Sequence, residues 1–250
     1  MPILVWTDPA VLAFVIIPLV LVALLLRGVS AASHRLGETD ADRQRALAVT
    51  LAVAAGWMTV TWAAAEAGVL RQWDASPPPF ALLVAGIAGL AVAMAFTGYG
   101  SRLARGLPLW TLVAVQGFRL PLELAMHTMH ERGVMPVQMS YSGRNFDIVT
   151  GITAILVAWL VASGRGGRRL VLTWNVLGLA LLLNVVTIAI LSTPRFAYFG
   201  EERLNVWVTY PPFVWLPAVM VLAALAGHLL IFRASALKDQ PAQRFSEAVL

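Results

Sequence analysis

Apolar residues run along this chain in long unbroken stretches rather than in alternation. Seven stretches stand out, over about 10–27, 46–68, 80–98, 107–130, 148–163, 169–191 and 212–232. A helix needs roughly 20 apolar residues to cross a bilayer. Unbroken runs suit helices, whereas the strands of a barrel would alternate. The pattern therefore predicts an all-α integral membrane protein, a bundle of about seven transmembrane helices in one polytopic domain spanning 1–250. The fifth run is short and can extend back toward Phe146. The first reads as a retained span: the residues before Pro9 carry no positive charge, and no small-x-small cleavage site follows the run.

The polar segments between the runs set the orientation. Twelve basic residues fall on one side: Arg27, Arg35, Arg43, Arg45, Arg102, Arg105, Arg165, Arg168, Arg169, Arg233, Lys238 and Arg244. Five fall on the other: Arg71, Arg132, Arg144, Arg195 and Arg203. The basic side should face the cytoplasm, which places the N-terminus outside and the C-terminus inside a bacterial-type inner (cytoplasmic) membrane. The inner segment Gly28 to Arg45 reads as the longest solvated connector on that side. The outer segments Val134–Asp147 and Ser192–Pro217 mix aromatics, prolines and charges beyond what an interfacial belt requires, and suggest a lid over the outer mouth.

Composition narrows the partners. The chain is 59% hydrophobic and only 12% charged, too few charges to clothe a sizeable soluble domain. Its formal net charge of +5 sits in short loops, where it meets anionic lipid head groups rather than nucleic acid. There is no cysteine, which excludes disulfides, iron–sulfur clusters and thiol catalysis. The one lysine, Lys238, lies beyond the last run, so no retinal Schiff base forms within the bundle. His34 and His228 read as a loop and a helix-end residue on the inner side. No second histidine then stands at bilayer depth, which argues against haem.

The candidate chemistry lies in the fourth run, where Gln116, Arg119, Glu123, His127 and His130 recur at spacings of three or four residues. On an ideal helix these five share one face, within an arc of roughly 80°. Ionisable groups at bilayer depth are expensive and must turn toward the bundle interior or a wet cavity. Pro121 removes a hydrogen bond to the carbonyl of Gly117 and predicts a kink. Glu66 and Asp147 end or begin neighbouring runs toward the same leaflet, and Arg144 and Asn145 precede Asp147 with no evident structural duty. Together these nine residues predict a polar pocket in the outer half, open to a small ligand or substrate from outside. No nucleophile is marked, and Ser140 and Ser142 read as ordinary loop serines.

Three other readings remain open. Glu123, His127 and His130 have metal-ligand spacing, for copper or zinc. A proton-coupled transporter would need polar groups in the inner half, where Asn175 is the main candidate. A non-catalytic subunit of a membrane complex would use the aromatic outer loops to dock a membrane or periplasmic partner. Binding and catalysis are not separated by the sequence.

Overall fold

The computed structural model describes residues 6–237; Lys238 and Arg244, used above for orientation, lie outside the described residues. Those residues are helical, with no strand among them. Helix α1 (Pro9–Arg35) starts on an Asp8 cap, whose carboxylate accepts from the Ala10 amide, with Pro9 in the first turn. Helix α2 (Asp40–Glu66) starts on Thr39, which accepts from the Asp42 amide and donates to its carboxylate. Then follow α3 (Pro79–Phe96), the short α4 (Gly98–Gly106), α5 (Leu109–Val115), α6 (Arg119–Glu131), α7 (Asp147–Ala162), α8 (Arg168–Leu191) and α9 (Leu222–Leu237).

Five of these segments are long and apolar enough to cross a membrane: α1, α2, α3, α8, and α9 together with the π-turn Leu216–Val221 that precedes it. Their outward faces carry large apolar side chains. On α7, Val149, Ile152, Ile155, Leu156 and Trp159 are all exposed at helical spacing. An apolar exterior of this extent suits hydrocarbon, consistent with a membrane protein.

Three features differ from the sequence reading. The connector after α1 is only residues 36–39; Gly28 to Arg35 and Asp40 to Arg45 are helical. Those extra turns are held by α4. A Cβ on Gly106 would come within 2.6 Å of the Ala32 Cα, Arg35 donates to the Gly106 carbonyl at 3.3 Å, and Arg102 pairs with Glu38 at 2.8 Å. The fourth run is not one α-helix: α5 and α6 are joined by a 3₁₀ turn at Gln116–Phe118. Pro121 thus sits in the first turn of α6, where no amide is needed, and the expected kink takes the form of this tightened turn. The last helix runs on to Leu237 and encloses His228, rather than ending near it.

Small residues let α9 sit close among its neighbours. Ala224, Ala226 and Ala234 are buried, and Gly227 faces the Gln116 amide. Near the N-terminus of α1, Trp207 and Phe213 pack edge-on against Phe14, so the Ser192–Pro217 segment is folded into the bundle. The indoles of Trp57 and Trp215 join α2 to this region, donating to the carbonyls of Ala218 and Met58.

Candidate functional site

The 3₁₀ turn and α6 aim the polar side chains of the fourth run at three different neighbours. Gln116 Nε2 donates to the Ala224 carbonyl of α9 at 3.2 Å. Arg119, 1% exposed, places Nη1 3.2 Å from Oδ1 of Asp147, the first residue of α7. That ion contact is not aligned as a hydrogen bond, and none of the three guanidinium nitrogens has a hydrogen-bond partner among the described residues. Glu123 receives Asn145: the amide nitrogen lies 2.9 Å from each carboxylate oxygen and 3.0 Å from the Met139 carbonyl. Asn145 in turn accepts the Asp147 amide at 3.0 Å, so one side chain both holds Glu123 and starts α7.

These four residues, Arg119, Glu123, Asn145 and Asp147, line a cavity of about 210 Å³. The rest of its wall is mainly apolar, from Phe80, Val84 and Ile87 of α3 to Leu182 of α8 and Met220 near α9, with Asn205 adding one amide. A larger cavity of about 400 Å³ lies between α1, α2, α3, α5 and α9 and has no charged residue in its lining.

The remaining predicted residues are not brought to that cavity. Glu66 is exposed at the C-terminal end of α2. Arg144 points outward over the Phe199 ring, 5.2 Å from its centroid, while its carbonyl accepts from Asn184. His130 Nδ1 donates to the Met135 carbonyl at 3.3 Å. His127 leaves the pocket wall for the loop, its Nδ1 3.0 Å from Ser140 Oγ. Gln116 faces α9 on the far side of Arg119. The metal reading of Glu123, His127 and His130 is accordingly corrected: among the described residues no three histidine, aspartate or glutamate side chains gather as a metal would need. The loop and Asn145 draw those three apart.

Two features escaped the sequence reading. His228 is fully buried, with Nδ1 2.8 Å from Asn175 Oδ1 and the Asn175 amide on its own carbonyl at 3.1 Å. A Cβ on Gly178 would collide with both His228 and Thr150, which places those two side by side behind Arg119 and Asp147. The only signal was the small residues around them, which reads equally as packing. The second is the Ser140–His127 contact, which no sequence spacing announces.

A family model described as Domain of unknown function (DUF8737) matches residues 77–235. The chain belongs to that family. The DUF8737 segment runs from just before α3 to near the end of α9, so it contains the cavity's charged residues, Asn145 and the His228 pair. Helices α1 and α2 precede the segment. No curated protein and no solved structure matches the chain.

Proposed function

We propose that this protein spans the inner membrane seven times, N-terminus out and C-terminus in. Its outer-half pocket then binds a small molecule with a polar head and an apolar body. One observation carries the ligand reading. Arg119, buried beside Asp147, has three guanidinium nitrogens without hydrogen-bond partners among the described residues, and it lines a mainly apolar cavity. A buried donor whose hydrogen bonds are left unmade costs about 1–3 kcal/mol, and more when it is charged. A ligand group that accepts its hydrogen bonds recovers that, and charge-assisted bonds of this kind are the strong ones. Asn145, Glu123 and Asp147 would orient the head, and Phe80, Val84 and Ile87 would cover the body. The lipid bilayer is the surrounding solvent, and the Ser192–Pro217 segment is a surface for a membrane or periplasmic partner.

Native mass spectrometry of the protein in lipid nanodiscs tests this. A stoichiometric small molecule should accompany the parent protein and be lost from Arg119→Met. Only bulk lipid, equal in both, would remove the reading.

A proton-coupled transporter is the second reading, favoured by His228, Asn175 and Thr150, which extend the polar groups inward from Asp147. Under it, His228→Phe abolishes transport while the small molecule still co-purifies.

A further inference from the structure

The end of α6 and the loop after it line up a carboxylate, an imidazole and two hydroxyls beside the pocket. His127 Nε2 lies 3.5 Å from Oε1 of Glu131, one turn further along α6. Its Nδ1 lies 3.0 Å from Ser140 Oγ and 3.5 Å from Ser142 Oγ, and the two hydroxyls are 3.1 Å apart. The Tyr141 ring stacks on the imidazole, with centroids 4.3 Å apart. Ser140 is buried, while Ser142 is exposed.

A neutral imidazole has one donor and one acceptor nitrogen, and a carboxylate only accepts. The ring proton therefore belongs on Nε2, toward Glu131. That leaves the Nδ1 lone pair facing the hydroxyls, and Tyr141 holds the ring in that plane. A base oriented by a third group and aimed at a hydroxyl is the arrangement that activates a serine.

We propose that Ser142 is a nucleophile for esters of apolar acyl chains, with His127 as general base, Ser140 as the hydroxyl that steadies the proton and Glu131 as the positioning carboxylate. The acyl-chain part rests on the pocket reading: Met139 and Asn145, which bracket this turn, line the cavity. In the first step Ser142 Oγ bonds to the acyl carbonyl carbon and its proton passes to His127 Nδ1. That proton then goes to the departing alcohol oxygen as the ester C–O bond breaks. Water next attacks the acyl-serine, His127 takes its proton and returns it to Ser142 Oγ, and the carboxylic acid leaves. Water is the only co-reactant.

The test is labelling of the full chain in nanodiscs with dodecyl and ethyl fluorophosphonate, followed by intact mass and peptide mapping. The expected result is one adduct, on Ser142, formed about a hundredfold more slowly in His127→Gln, the size of a typical general-base contribution. Glu131→Gln, with an unchanged thermal midpoint, should slow it less and shift its pH profile. No adduct while a serine hydrolase in the same preparation is fully labelled overturns the proposal. So does an adduct whose rate ignores His127→Gln. Faster labelling by the dodecyl probe supports the chain lying in the cavity. Equal rates on Ser142 overturn that part and leave the nucleophile standing. Loss of the co-purifying molecule from Arg119→Met is read separately, so the two readings fail independently.

Discussion

Arg144 and Asn145 are neighbours with opposite fates. Arg144 lies outside over an aromatic ring, whereas Asn145 is fully buried with partners on both its amide atoms. Three acceptors converge on the Asn145 nitrogen, two of them the oxygens of Glu123. Asn145→Leu would leave that carboxylate buried without its donor, a loss of about 3 kcal/mol. In a Glu123→Leu background the same replacement should cost far less, because the buried carboxyl it stranded is gone. Unfolding of the four proteins in mixed detergent gives the coupling, and strictly additive losses would mean that the pair is not a unit. Both residues were visible as candidates in the sequence. Their separation into one pocket residue and one surface residue was not, since a single bond of backbone rotation decides which way each side chain leaves the loop.

The α1–α2 hairpin turns on a short link, and its stability should respond to pH through Glu38. Arg102 of α4 donates to Glu38 at 2.8 Å, and this hydrogen bond holds the carboxyl below its ordinary value of 4.5. The folded chain thus binds that proton more weakly than the unfolded chain. The contribution is whole above the ordinary value and fades as pH falls below it toward the lowered one. The thermal midpoint in detergent should therefore drop more steeply below that pH in the parent than in Glu38→Gln. Identical slopes would show that the pair, partly open to solvent, contributes nothing measurable. The broken fourth run belongs to the same level. Periodicity assigned it one straight face, but a 3₁₀ turn advances each residue by about 120° instead of 100°. Gln116 is thereby turned toward α9 while Arg119 and Glu123 keep to the cavity.

For the molecule as a whole, the seven-span reading has a direct check, because the chain has no cysteine of its own. Single cysteines at Asp42 and Ser163 should react with an impermeant maleimide only after the inner face is opened. Cysteines at Asp74 and Glu202 should react in intact cells. A fully reversed pattern would invert the orientation, and a mixed one would break the odd number of spans. Five segments meet the length and apolarity of a span outright. The seven-span reading also needs the broken α5–α6 run and the 16-residue α7, and these carry Arg119, Glu123 and Asp147. Segments that host charged groups can be shorter or broken when their neighbours enclose them.

Helical character, the position of the apolar runs and the unusual load of ionisable groups on the fourth run follow from local chemistry. Residue type and spacing suffice for them, because backbone hydrogen bonding and transfer to an apolar phase act over a few turns. The choice among nine candidate residues was decided elsewhere. Four of them meet at the cavity because α7 begins where the Ser140–Asn145 turn folds back on α6. Glu66 and Arg144 stay outside, and His127 finds two serines instead of a metal partner. His228 becomes a buried core residue because α8 offers Gly178 and Asn175 at its height. Contacts of this kind join positions more than a hundred residues apart, as Gln116 and Ala224 or Trp57 and Ala218 are. They depend on how helices cross and which small residues let them approach, and no local pattern in one sequence carries that information.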